Sequence, residues 1–204
     1  NKEQLKREIG NKKSISFVPT MGGLHKGHIS LIKTAKKYTN ETLVSIYVNP
    51  KQFNKEEDYK KYPRNLAKDL KILKKLKVNY LYLPTYKDLF KFKPSHRIYL
   101  HEFSKILCGR YRKYHFKGVL NVVNRFLEII RPNYLFLGSK DFQQLTLIKK
   151  HVLKNKIHTK IISCKTVRES NGVAFSSRNF NLNKNQMKIA KNVYNYLIKI
   201  KKKT

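Results

Sequence analysis

Two histidines, His25 and His28, flank Lys26-Gly27 and follow a pair of glycines, Gly22-Gly23, near the start of a 204-residue chain. Two imidazoles three residues apart, with a glycine between them, can face one phosphate group. The glycines allow a tight turn and close approach of a ligand to backbone N–H groups. The preceding run, Ile15 to Pro19, reads as a buried strand. A helix pattern follows from about His28 to Lys37, with Ile29, Ile32 and Ala35 on one face. A helix start presents orphan N–H groups and the positive end of the dipole to an anion. Strand, HxGH turn and helix in that order point to a nucleotide-phosphate site rather than to a pair of surface histidines. This is not a P-loop, because no Gly-Lys-Ser/Thr follows. Zinc is a weak rival, since no acidic or Cys partner lies nearby.

The elements that must position such a turn recur along the chain. Thr42 to Val48 and Tyr80 to Leu83 read as strands rich in β-branched or aromatic residues, and Arg64 to Leu76 as a helix. Arg97 to Leu100 reads as a short strand and Phe103 to Leu107 as a helical turn. Val119, Val122, Val123, Phe126, Leu127 and Ile130 make an apolar helix face stopped by Pro132. Tyr134 to Leu137 is a further strand, Phe142 to Leu153 a helix, Lys160 to Cys164 a strand and Lys184 to Lys199 a last helix. Alternation of this kind predicts an α/β fold, a Rossmann-like doubly wound parallel sheet with helices on both faces. Ligands of such sheets gather at the carboxyl ends of the strands. Residues 1–179 are expected to form that catalytic domain. Residues 180–204 read as the start of a small C-terminal domain, and the lack of an initiator Met fits a fragment.

Composition bounds the function less than its numbers suggest. A net charge of +34, from 46 Lys and Arg against 12 Asp and Glu, would ordinarily signal a polyanion partner. The lysines are scattered beside Asn, Ile and Tyr, however, as a bias toward AT-rich codons would leave them, and no RRM, zinc-finger or helix-turn-helix pattern accompanies them. No specific nucleic-acid partner is expected. Cys108 and Cys164 are too few for a disulfide framework and too far apart for a CxxC site, and both read as buried thiols. Asn1 to Asn11 is charged and unlike a signal peptide, and no apolar run approaches the about 20 residues that span a bilayer. A soluble, cytoplasmic protein with no membrane partner is expected.

HxGH by itself resembles the whole nucleotidyltransferase superfamily. The blocks around it are more specific. Pro19 to His28 (PTMGGLHKGH) looks like the PTMGxLHxGH of the pantothenate synthetase family, and Val44 to Phe53 (VSIYVNPKQF) like its VSIFVNPxQF, followed by Tyr62-Pro63-Arg64. Gly138 to Leu145 (GSKDFQQL) is similar to GEKDxQQL. Thr166 to Glu169 and Ser176 to Asn179 resemble TVRE and SSRN. The blocks arrive in the family's order from about Ser14 to Asn179.

The resemblance implies an ATP-dependent ligase that activates pantoate as an adenylate, releasing pyrophosphate, and couples it to β-alanine, releasing AMP. Such chemistry needs positioning and neutralisation of spreading negative charge more than covalent help. Carried over residue by residue, the family's ATP site falls on Met21, Gly22, Gly23, Leu24, His25, Lys26, Gly27 and His28. It continues through Gly138, Ser139, Lys140 and Asp141, the backbone of Val167, and Phe175, Ser176, Ser177 and Arg178. The family's general acid is His28; His25 and Lys140 join it on the reacting phosphates. Gln52 and Gln144 match the glutamines that bind pantoate and β-alanine, amides offering both donors and an acceptor to a hydroxy acid. ATP with Mg²⁺ is the implied co-substrate, and a homodimer the implied assembly; metal ligands are left unassigned.

Departures from the pattern are local. Arg112-Lys113-Tyr114-His115-Phe116 replaces an Arg-Pro-Gly-His-Phe segment, so the Pro-Gly turn is lost and Arg112 and His115 are left out of the catalytic set. Ser139 stands for Glu, Asn171 for Asp, Val173 for Leu and Phe175 for Leu or Met. Lys68 stands where an acidic residue often precedes Asp69, which argues for Mg²⁺ held mainly by ATP oxygens. The remaining rival, another HxGH adenylyltransferase, is disfavoured by the two glutamines.

Overall fold

Neighbouring residues of the central strands are buried on opposite faces, which is the mark of a sheet covered on both sides. Phe17, Leu43 and Leu135 join one apolar cluster, and Val18, Val44 and Phe136 the other. The computed structural model describes residues 1–12 and 14–201, so 202–204 of the expected C-terminal unit lie outside the described residues. Five strands, β1 (Ile15–Thr20), β2 (Glu41–Ile46), β3 (Tyr80–Tyr82), β4 (Tyr134–Gly138) and β5 (Lys160–Cys164), pair in the order β3-β2-β1-β4-β5, every neighbour parallel.

The α-helices are α1 (Lys2–Ile9), α2 (Lys26–Ala35), α3 (Glu56–Lys60), α4 (Leu66–Lys75), α5 (Tyr86–Phe90), α6 (Cys108–Tyr111), α7 (His115–Ile130), α8 (Phe142–Lys154) and α9 (Lys184–Lys201). On one face α1, α5, α7 and α8 contribute Leu5, Leu89, Phe126 and Ile148 to the core; on the other, α2 and α4 contribute Ile32 and Leu73. The sheet is therefore doubly wound, as the alternation predicted. Strand order reverses at β1, which has β2 on one side and β4 on the other. That switch opens a crevice beyond the carboxyl ends of β1 and β4.

Two expectations fail. Arg97 to Leu100 forms no strand. The N–H of Tyr99 donates to His151 Nδ1 on α8 (3.2 Å) where a ladder bond would have been, and just before the segment those of Ser95 and His96 donate to Glu128 Oε1 on α7 (2.8 and 3.0 Å). Cys164 is buried, but Cys108 opens the surface helix α6 and is exposed. Helix α1 was not anticipated in the charged N-terminal stretch. Its amphipathic pattern buries Leu5 and Ile9, and the Asn1 side chain caps it by accepting from the Gln4 N–H at 2.9 Å.

Candidate active site

The turn leaving β1 is shaped by Gly22 (φ +78°) and Gly23 (φ +61°), a left-handed pair that side-chain-bearing residues resist. A Cβ on Gly23 would stand 3.1 Å from Ser177 Cβ and 3.2 Å from the Pro63 carbonyl oxygen. The turn's N–H groups are already engaged: Gly22 donates to Thr20 Oγ1 (3.2 Å), Gly23 to Asp69 Oδ2 (2.9 Å) and Leu24 to Asp69 Oδ1 (2.8 Å). Asp69, in the first turn of α4, is only 2% exposed. Its carboxylate occupies the Gly23 and Leu24 amides, and the histidines that follow face the crevice. Gly22, Gly23, Leu24, Lys26 and Ser139 build the turn walls but do not line the crevice.

His25 and His28 do line it. They cap α2 reciprocally: His25 Nδ1 accepts from the Gly27 N–H (3.1 Å) and His28 Nδ1 from the His25 N–H (3.4 Å), with the rings stacked at 4.0 Å. Since Nδ1 accepts in both, each neutral ring carries its proton on Nε2. Burial, then the positive charge of Lys140, lowers His25 to about 4; burial, then His25 and Lys140, lowers His28 to about 3. At neutral pH the turn therefore offers two uncharged Nε2–H donors.

The opposite wall comes from beyond β4 and β5. Gly138 leads into a short 3₁₀ turn, Ser139–Asp141, fixed by Ser139 Oγ donating to the Cys164 carbonyl (2.9 Å). Lys140 Nζ donates to the Phe175 carbonyl at 3.1 Å and lies in the crevice with Met21, Gly27, Gly138, Asp141 and Val167. Phe175, Ser176, Ser177 and Arg178 complete that wall. The Phe175 ring lies parallel to His25 at 6.2 Å. Ser177 Oγ donates to the Tyr62 hydroxyl (3.0 Å), and Arg178 makes a two-pronged contact with Asp58 (2.9 and 3.2 Å).

Gln52 ends a 3₁₀ turn, Pro50–Gln52, that is capped by Asn49, whose Nδ2 donates to the Gly118 carbonyl of α7 at 3.1 Å. The Gln52 carbonyl receives His115 Nδ1 (2.7 Å) and Arg112 Nη2 (3.3 Å), so both side chains enter the crevice although the Pro-Gly turn is missing. Neighbouring glutamines divide the work. Gln144 lines the crevice. Gln143 is buried and donates to the Phe103 and Ile106 carbonyls (both 2.7 Å), holding the segment that leads to Arg112. Val119, Val122, Val123 and Phe126 of α7 add an apolar stretch to the crevice lining.

A family model described as pantoate-beta-alanine ligase matches residues 1–204. The chain belongs to the pantoate–β-alanine ligase family. It is 43% identical over 203 residues to a pantothenate synthetase of Flavobacterium psychrophilum, covering 98% of this chain and 72% of that one. Against a pantothenate synthetase of Francisella tularensis subsp. novicida the identity is 45% over 194 residues, covering 95% and 74%. The solved pantoate–β-alanine ligase from Francisella tularensis, complexed with β,γ-ATP and β-alanine, superposes with a TM-score of 0.89 at 45% identity, covering 96% of this chain and 76% of that one. The Thermus thermophilus pantothenate synthetase gives 0.91 at 33% identity, covering 97% and 72%.

Within this ligase-family chain the sequence left several residues of the crevice and its supports unassigned. Asp69 acts on amides 45 and 46 positions away, which no local pattern announces. The α7 valines read only as a core stripe, yet the same stripe floors the crevice. The Arg112 and His115 types were the available signal, overruled by the missing Pro-Gly.

Proposed function

We propose that this crevice adenylates pantoate with ATP and then passes the pantoyl group to β-alanine, forming pantothenate. One observation carries the reading: the neutral His25–His28 pair, Lys140, the Ser176–Arg178 loop and both glutamines, Gln52 and Gln144, border a single crevice at the sheet's switch point. The triphosphate lies along His25, His28, Lys140 and Ser176 to Arg178. His28 and His25 donate Nε2–H bonds to phosphate oxygens as charge develops, and the Lys140 ammonium neutralises it. The adenine side lies against Val167, and the ribose at Gly138 and Asp141. Pantoate's carboxylate and hydroxyls meet Gln52 and Gln144, and its paired methyl groups rest on the α7 valines, whose burial favours them by about 0.8 kcal/mol per carbon.

Mg²⁺ accompanies ATP in this reading. Among the described residues no group of three His, Cys, Asp or Glu could hold a metal ion, and Asp69 already serves two amides. The donors do not fit a protein-held cage, and the ion would be held by ATP's own oxygens. Helix α9, which buries none of its residues, is the start of a second unit that closes over the nucleotide side. Two copies associate as a dimer in the cytoplasm, a point sedimentation would test. Among the described residues no helix is long and apolar enough to cross a membrane.

The test is pyrophosphate release. It should depend on pantoate, and AMP and pantothenate should appear only once β-alanine is added. Pyrophosphate release indifferent to pantoate in a folded sample sinks the reading.

A further inference from the structure

Three histidines border the crevice, and the hydrogen bonds divide them. His25 and His28 each use Nδ1 as an acceptor from a backbone N–H, which puts the proton on Nε2. His115 does the reverse. Its Nδ1 lies 2.7 Å from the Gln52 carbonyl oxygen, which can only accept. Nδ1 must therefore carry the proton, and in the neutral ring Nε2 holds a lone pair. Burial holds the ring below the ordinary histidine value, aided by Arg112 and Arg178 and opposed by the Gln52 carbonyl and Asp141. Its place as the first residue of α7, a 16-residue helix, also disfavours the protonated form.

Two donors and one acceptor suit the two halves of the ligase reaction differently. Adenylation spreads negative charge and calls for donors. Amide formation starts from an ammonium and calls for a base. We propose that His115, through Nε2, is the base of the second half-reaction. The proposal rests on the ligase reading above. In the step, His115 Nε2 takes one proton from the –NH₃⁺ of the amino acid. The freed nitrogen lone pair forms the N–C bond to the adenylate's carbonyl carbon. The bond from that carbon to the AMP phosphate oxygen breaks, the electron pair leaving with AMP, and the nitrogen releases a second proton to solvent.

Hydroxylamine separates a base from a merely structural residue, because its nitrogen is already unprotonated at neutral pH. Pantoyl-adenylate formed on the enzyme is mixed with β-alanine or with hydroxylamine, and AMP is followed in a single turnover. His115→Gln should slow the β-alanine reaction at least tenfold and the hydroxylamine reaction less than threefold. Equal slowing with both nucleophiles, or no slowing with β-alanine, overturns the assignment. If wild-type enzyme with ATP and pantoate yields no pantoyl hydroxamate, the ligase reading itself fails, which is a different result. Should His115→Gln not fold, nitrogen NMR of the wild-type rings decides. A proton on Nδ1 of His115, against Nε2 of His25 and His28, is expected; a proton on Nε2 of His115 overturns the proposal.

Discussion

Two turns deliver histidines to one crevice, and they are held by opposite means. The β1–α2 turn places glycines where the backbone is left-handed, engages its amides with a buried carboxylate and caps its helix with its own histidines. The turn into α7 puts a tyrosine in the left-handed position, with Tyr114 at φ +64°, and no side chain caps the helix. It is held from outside, by His115 and Arg112 on the Gln52 carbonyl and by Gln143 on the segment before it. A self-supporting turn keeps its geometry when neighbours change. A turn tied to a neighbour can vary in sequence as long as the ties remain, and here, with Lys113-Tyr114 in place of Pro-Gly, His115 is held on the Gln52 carbonyl.

The largest test of this contrast is His28→Ala. It removes one of the two Nε2–H donors and the cap on the His25 N–H. Adenylation, followed as pantoate-dependent pyrophosphate release, should fall by well over tenfold, more than about 1.4 kcal/mol of transition-state stabilisation. Wild-type rates would reject the role given to the turn.

Asp69→Asn attacks the support beneath it. The amide keeps one acceptor oxygen and sets an NH₂ against a backbone N–H, leaving one buried donor unpaired at a cost of about 1–3 kcal/mol of stability. The loosened turn should lower kcat for adenylation about tenfold while KM for pantoate, held at Gln52 and Gln144, stays within twofold. A rise in KM with kcat intact would show that Asp69 supports pantoate instead of the histidines.

Acid should strain the first turn more than the second. His25 and His28 are held at about 4 and about 3, below the ordinary 6.5, and His115 is lowered as well. Each ring takes a proton more readily unfolded than folded. Their effect on stability is nil well above pH 6.5, and stability falls as pH drops from there towards 4. Urea unfolding at pH 7 and pH 5 reads this loss directly. It should shrink more in the His25→Gln, His28→Gln double variant than in His115→Gln, His151 contributing alike to both. Equal slopes would erase the distinction between the turns.

What could be read from the chain alone follows the same division. The strand, the Gly22-Gly23 pair and the HxGH were legible because their signal is local, an apolar run, two glycines in left-handed positions and two histidines that cap their own helix start, and the ordered blocks brought in Gln52, Lys140, Gln144 and the Ser176–Arg178 loop. Parallel order was legible from alternation. Asp69 was not, because its partners lie on another strand's exit. Arg97 to Leu100 was misread because no strand pairs with it and the Tyr99 N–H goes to His151 of α8 instead. Cys108 was misread because apolar neighbours in sequence, Ile106 and Leu107, are themselves exposed at 53% and 61%.

The smallest effect lies at the tyrosine itself. A side-chain-bearing residue in the left-handed region costs about 1–2 kcal/mol relative to glycine. Restoring glycine returns that cost and gives back part of it, about 0.5–1 kcal/mol, as extra freedom of the unfolded chain. The Tyr114 ring is 69% exposed and touches Lys113 across 5.4 Å, so little packing is lost with it. Tyr114→Gly should therefore raise the unfolding free energy by up to about 1 kcal/mol in a denaturant titration, with kcat and both KM values within twofold of wild type. A loss of more than about 1 kcal/mol would place the ring itself among the supports of the α7 turn. The Gln52 carbonyl would then no longer be the main tie, and the contrast with the glycine turn would have to be redrawn around tyrosine packing.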